Sequence, residues 1–286
     1  MAKILEVKNL CKEYSGFKLN NISFSLESGF VMGFIGPNGA GKSTTIKLIM
    51  NLIKKTSGQV KIFGKDNVEY NKEIKQRVGF VYDENYYYGM MNIKETERII
   101  APFYKYWNSK QFSDYIKQFN LDPKKKIDSL SKGMKMKLSL AVALSHGADL
   151  IVMDEPTSGL DPIFRSEMLD ILYNIIQDEK KSIFFSTHIT TDLEKIADYI
   201  TFINKGDLIF TKPKDQLLDS YCIVKGANEL LDNDIEKEFI GIRKHGAGFE
   251  ALSCNIEKTR NVFKDSVLIE RASLEDIMLY SVRGSK

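Results

Sequence analysis

Apolar and polar positions intermingle in short β-like stretches at the start of the chain. Ile4, Val7 and Leu10, then Leu19, Ile22, Phe24 and Leu26, sit among polar neighbours and predict antiparallel strands with one exposed face. Residues 30–35 form a continuous apolar run, which predicts a strand buried on both faces. That run ends at a glycine-rich segment, after which Ile46, Ile49, Met50 and Ile53 recur at helical spacing. Two further apolar runs, 149–154 and 182–186, flank a helical pattern over 163–176 that begins after Asp161-Pro162. Strands alternating with helices imply an α/β fold with a parallel sheet. Residues 92–147 hold no convincing strand and several helical periodicities, including 93–107 and 132–145, so this stretch reads as a helical subdomain inserted between strands. Past Lys212-Pro213-Lys214 the pattern changes to strands at 221–225 and 238–243 and a helix at 274–280. The expected organisation is a large domain over 1–215 and a small C-terminal α+β accessory domain over 216–286.

Composition narrows the function classes. With 286 residues, 43% of them hydrophobic and 28% charged, the chain has ordinary globular make-up. A formal charge of +3 gives no reason to expect nucleic acid as a partner. The lysines at 124–126 and within 132–137 lie beside acidic residues or apolar stripes and read as solvated surface. Cys11, Cys222 and Cys254 are far apart in sequence, so neither a disulfide framework nor a zinc site is expected, and a reducing cytosol fits. No stretch approaches the roughly 20 apolar residues of a spanning helix, and the first residues lack the layout of a signal peptide. Any membrane role is expected to come through a partner.

The chemistry lies in the glycine-rich segment. Gly36-Pro37-Asn38-Gly39-Ala40-Gly41-Lys42-Ser43, followed by Thr44, fits GxxxxGK[ST] between a buried strand and a helix. Glycines let successive backbone N–H groups turn toward phosphates, and the helix N-terminus adds its positive dipole end. Lys42 is expected to reach the β- and γ-phosphates and Ser43 to offer its hydroxyl to Mg²⁺. Asp154 ends an apolar strand, where a carboxylate can ligate Mg²⁺ directly or through water. Glu155 follows, and at a strand end it can face the γ-phosphate and an attacking water as catalytic base.

Further motifs stand in a characteristic order: the phosphate loop, Leu130-Ser131-Lys132-Gly133-Met134, the run 154–161 (DEPTSGLD), and Ser186-Thr187-His188. In this order they make residues 2–215 resemble the ABC ATPase family, most closely bacterial single-domain subunits of ABC-2 export and antibiotic-efflux systems. The resemblance implies a P-loop NTPase fold with an antiparallel β subdomain and an inserted helical subdomain, and two ATP molecules sandwiched in a head-to-tail dimer. It implies that Ser131 and Gly133 bind the γ-phosphate held by the other subunit. On its own residues Ser131 is a helix N-cap, and the two readings coexist because the cap is also the anion site. Asp161 falls on the family's interface loop, with a helix cap as the alternative; His188 matches the histidine that contacts the γ-phosphate and orients water. Tyr14 lies where the family places an adenine-stacking aromatic, with simple packing as the alternative.

Two departures stand out. Lys132 and Met134 replace the glycine and glutamine of the usual signature, and Asp83 stands where the family has a glutamine touching Mg²⁺ and water. A carboxylate can ligate Mg²⁺ but cannot donate an amide's N–H bonds. Residues 86–91 follow, aromatic and methionine-rich, suited to a protein interface or to packing at the subdomain hinge. The expected function is ATP hydrolysis that drives export, with membrane-spanning permease subunits and a second ATPase subunit as partners, at the cytoplasmic face of the membrane. An ABC-type ATPase acting on ribosome or DNA, or an ATP-holding regulatory subunit, is the alternative.

Overall fold

A computed structural model describes residues 2–82, 87–178 and 180–284. The chain divides into two compact units between Thr211 and Lys212. The first unit begins with two long strands, β1 (Lys3–Tyr14) and β2 (Phe17–Glu27), followed by β3 (Val31–Ile35) and helix α1 (Lys42–Ile49). Next come β4 (Ser57–Ile62), β5 (Lys65–Asp66), α2 (Asn71–Lys75) and β6 (Val78–Val81). The helical stretch holds α3 (Ile93–Ile100), α4 (Ser109–Gln118) and α5 (Lys132–Ser145). Then β7 (Leu150–Asp154), α6 (Pro162–Ile176), β8 (Ser182–Thr187), α7 (Thr190–Ile196), β9 (Tyr199–Asn204) and β10 (Asp207–Pro213) follow.

The strands form one sheet in the order β5-β4-β1-β2-β10-β9-β3-β8-β7-β6. At one end β1 pairs antiparallel with β2 and β4. At the other, β3 pairs parallel with β8 and β9, and β7 pairs parallel with β6 and β8. Every residue of β3, β7 and β8 is buried, as the unbroken apolar runs predict for a sheet covered on both faces. Phe24, Phe34 and Phe184 pack their rings 5.5–5.6 Å apart where β2 meets the parallel strands.

The helical stretch departs from expectation in detail. The helix predicted over 93–107 stops at Ile100 and passes into a 3₁₀ turn, Ala101–Phe103. Pro102 has no N–H to donate to the carbonyl of Arg98, so the α-helical ladder cannot continue. Helix α4 was not anticipated; Asn108 caps it by accepting from Gln111 N, and Phe112 and Ile116 form its buried side. The expectation of a solvated lysine run over 132–137 fails at Lys137, which is only 4% exposed. Helical spacing puts Lys137 on the same face as Gly133, Met136 and Leu140, all buried. Its ammonium donates to Glu167 Oε1 at 2.6 Å and lies 4.9 Å over the Phe164 ring.

The second unit holds α8 (Lys214–Ser220), β11 (Cys222–Gly226), α9 (Asn233–Glu236), β12 (Gly241–His245), β13 (Gly248–Ser253), α10 (Ile256–Phe263), β14 (Leu268–Arg271) and α11 (Leu274–Gly284). Its strands make an antiparallel sheet in the order β12-β13-β11-β14. Cys222, Val224, Phe249, Ala251 and Phe263 form its core. The strand predicted from 238 starts only at Gly241, because Glu238 N and Phe239 N donate back to Ile235 O and Glu236 O in the turn that follows α9, while the Phe239 ring packs beside Phe249 and Phe263.

Candidate functional site

The phosphate loop lies between β3 and α1. Gly41 takes the N-cap position of α1 with φ +111°, a region costly for any side chain, and an added Cβ would stand 3.0 Å from Phe17 Cζ. Glycine at the cap supplies no side-chain bond to the first-turn N–H groups. They are the natural partners of an anion. Lys42 is buried and donates from Nζ to Gly36 O at 2.8 Å and Pro37 O at 3.3 Å, which aims the ammonium along the inside of the loop. The same Nζ is 3.1 Å from Glu155 Oε1.

Strand pairing assembles the rest. In the register of β7 against β8, Asp154 lies beside Ser186. Ser186 Oγ donates to Asp154 Oδ1 at 2.6 Å and accepts from Glu155 N at 3.0 Å, so one hydroxyl orients both acidic residues. Ser43 Oγ, from the first turn of α1, donates to the same Asp154 oxygen at 3.1 Å. A hydroxyl and a carboxylate in contact form a hard-oxygen donor set that suits Mg²⁺, which keeps waters and takes substrate phosphates as its remaining ligands. Glu155 adopts φ +50°, unusual for a side chain that is not glycine. This conformation, at the end of β7, turns its carboxylate toward the loop and costs on the order of 1 kcal/mol. His188, just past β8, brings Nδ1 to 2.8 Å from Glu155 Oε2.

Glu155, His188 and the phosphate loop share one cavity of about 540 Å³, lined by residues 38–44 and by Phe17, Glu155, Ser158 and His188, while Gly36, Pro37 and Asp154 are outside its lining and Asp154 meets it through Ser43. The structure thus brings together the phosphate loop, Asp154, Glu155 and His188. Tyr14 does not line the cavity: the residue is 47% exposed and its ring carries the Lys12 ammonium 4.9 Å from its centroid, while Phe17 supplies the aromatic wall. Ser131 caps α5, accepting from Met134 N at 3.3 Å, and Asp161 caps α6, accepting from Ile163 N and Phe164 N at 3.1 Å. Gly133 packs so tightly on α6 that an added Cβ would stand 2.6 Å from Phe164 Cδ1. None of these three lines the cavity. Asp83 and Tyr86 lie outside the described residues.

Three lining or linking residues escaped the sequence reading of the site: Phe17, Ser158 and Ser186. Ser186 stood inside the Ser-Thr-His motif, but its link to Asp154 depends on strand register, which no local pattern encodes. A second cavity, apolar and about 630 Å³, is lined by Phe80, Tyr82, Tyr87, Phe103, Tyr104 and neighbours. Within 86–91, Tyr87 is half-buried with its phenol bonded to Ser139, and burial pushes its pKa up to about 12; Tyr88 and Met90 are exposed.

The family described as ABC transporter matches residues 19–158. The chain is 34% identical to the bacitracin transport ATP-binding protein BcrA of Bacillus licheniformis, over 76% of this chain and 72% of that protein. It is 32% identical to the lantibiotic transport ATP-binding protein SrtF of Streptococcus pyogenes, over 74% of this chain and 92% of that one. A solved ATP-binding subunit of an ABC transporter superposes with a TM-score of 0.69 at 26% identity, covering 76% of this chain and 92% of its own. Motif order, parallel-sheet topology and these likenesses converge, and the chain belongs to the ABC transporter family as an ATP-binding subunit.

Proposed function

We propose that this subunit binds ATP with Mg²⁺ at the phosphate loop and hydrolyses it, with Glu155 as catalytic base and His188 as its orienting partner. The observation that carries this reading is the position of the Glu155 carboxylate, 3.1 Å from Lys42 Nζ on one side and 2.8 Å from His188 Nδ1 on the other, inside the loop's cavity. Lys42 and the α1 N-terminus stabilise phosphoryl charge, Ser43 and Asp154 hold the metal ion, and the ion supplies further charge neutralisation. Glu155 accepts a proton from the attacking water, and His188 keeps the carboxylate and that water in line. The experiment is phosphate release by the purified chain against its Glu155→Gln form. A variant that binds ATP with wild-type affinity and releases little phosphate supports the reading; undiminished turnover overturns it.

Ser131, Gly133 and Asp161 stand outside the cavity of their own chain, which supports their serving the phosphate loop of a second ATPase subunit in a head-to-tail dimer. Among the described residues no helix is long and apolar enough to cross a membrane, so the transport path is assigned to separate permease subunits at whose cytoplasmic face this chain works. The apolar cavity beside β6, with exposed Tyr88, Met90 and Phe103 nearby in the chain, is a surface suited to that contact. Relatives named for bacitracin and lantibiotic transport favour export as the direction.

A further inference from the structure

We propose that Asp192 is a positioning residue for hydrolysis, a buried carboxylate that clamps the segments carrying Glu155 and His188 to one another. This rests on the assignment of those two residues above. Asp192 lies in the first turn of α7, the helix that follows His188, and is 0% exposed. Both of its oxygens are engaged, and by different parts of the site. Oδ2 accepts from Thr157 Oγ1 at 2.5 Å, and Thr157 sits in the turn just after Glu155. Oδ1 accepts from Arg165 Nε at 2.7 Å, and Arg165 projects from α6, the helix that Asp161 caps. Arg165 Nη2 also donates to Thr191 Oγ1 at 2.5 Å, so the guanidinium holds the start of α7 at two points.

Short hydrogen-bonded turns transmit this clamp to the reacting groups. Ser158 N donates to Glu155 O at 3.2 Å, tying Thr157's turn to the acid. Ile189 N donates to Thr187 Oγ1 at 3.0 Å and Asp192 N to Ile189 O at 3.3 Å, tying Asp192 to His188. Glu155 has a left-handed backbone that relaxes readily once released, and its contact with His188 is a single bond at 2.8 Å. Stability alone does not account for charge here. The carboxylate is fully desolvated while the Arg165 side chain keeps 27% exposure; burying that carboxylate costs about as much as the pair returns, and apolar residues of equal volume would pack there without that cost. What apolar residues lack is direction: only a bidentate acceptor fixes a hydroxyl from one loop and a guanidinium from another helix in one geometry. Among the described residues these bonds of Asp192, Thr157 and Arg165 involve neither the phosphate loop nor α1, which touch the clamped segments through the Lys42–Glu155 contact, so turnover is expected to respond more than nucleotide affinity.

The test uses the purified full-length chain with MgATP. Asp192→Asn and Thr157→Val are expected to keep nucleotide affinity within about twofold and to lower kcat by about 10- to 100-fold, the loss that follows misplacement of a catalytic group by about 1 Å. The double variant is expected to lose no more than the worse single one, as coupled residues do. Val60→Ala, in the antiparallel region, serves as a control that lowers thermal stability while leaving kcat unchanged. Retention of kcat within twofold in Thr157→Val overturns the proposal even if Asp192→Asn fails to fold, and so does a loss of kcat in Val60→Ala that tracks its stability. If Glu155→Gln and His188→Ala keep full turnover, the underlying assignment of the site has failed. If those two lose turnover while the Asp192 and Thr157 variants keep it, the clamp alone is wrong.

Discussion

Glu155 Oε2 and His188 Nδ1 are 2.8 Å apart although 33 residues separate them in sequence. The contact exists because β7 and β8 are parallel neighbours in register, so the residues just past their ends emerge side by side. The pair lines one side of the cavity and Lys42 and Ser43 another; on the proposed function these are its hydrolytic and phosphate ends.

Glu155→Gln removes the proton acceptor while leaving Lys42 a neutral hydrogen-bond partner. Turnover should fall by about 10²–10⁴-fold, the usual contribution of a general base, with ATP affinity retained. Gel filtration with ATP should then show a long-lived dimer. A variant that binds ATP and stays monomeric would contradict the sandwich arrangement.

Lys42→Ala deletes the buried ammonium that runs along the loop to Gly36 O and Glu155. Nucleotide binding, followed by fluorescence titration, should be abolished. Unchanged affinity would remove the phosphate-loop assignment.

Lys137 joins α5 to α6 through Glu167 and the Phe164 ring, and Phe164 also packs on Gly133. Lys137→Ala should destabilise by about 1–2 kcal/mol, mostly through lost packing of the buried stem, because Glu167 is half exposed and solvent screens the charge. Lys137→Met keeps that packing and should recover most of the loss. Urea unfolding of both variants against the wild type checks this.

His146 ends α5 with its ring stacked on Tyr104, centroids 4.0 Å apart, and its buried Nδ1 has no hydrogen-bond partner among the described residues. Burial lowers its pKa below the ordinary 6.5. A histidine held neutral by the fold contributes stability that is fully present above 6.5 and is lost as pH falls below it, since the unfolded chain takes up the proton first. Melting temperature should therefore drop more steeply between pH 7.5 and 5 in the wild type than in His146→Phe. Parallel melting curves across that range would show that His146 carries no such term.

Much of the fold was legible because its signals are local. The phosphate loop needs a fixed spacing of glycines, a lysine and a hydroxyl, and the strands of a covered sheet must be apolar throughout; both are written in consecutive residues. Apolar runs at 30–35, 149–154 and 182–186 accordingly coincide with β3, β7 and β8. Pro102 was equally visible, and its effect on α3 follows from its missing N–H.

The sequence by itself determined which chemical groups are present and which elements carry them: a phosphate loop opening α1, a carboxylate pair ending one strand, a histidine following another. Only the tertiary structure decided which of them meet. Sheet order and register put Ser186 beside Asp154 and His188 beside Glu155, and at the end of the β1–β2 ladder, where Tyr14 pairs with Phe17, it is Phe17 that lines the cavity while Tyr14 stays exposed. Helix packing turned Lys137 and Asp192 from surface-like letters into buried partners of α6. The physical reason is that hydrogen bonds and ion pairs between distant segments form only after the sheet has fixed those segments within a few ångströms, and no local pattern carries that distance.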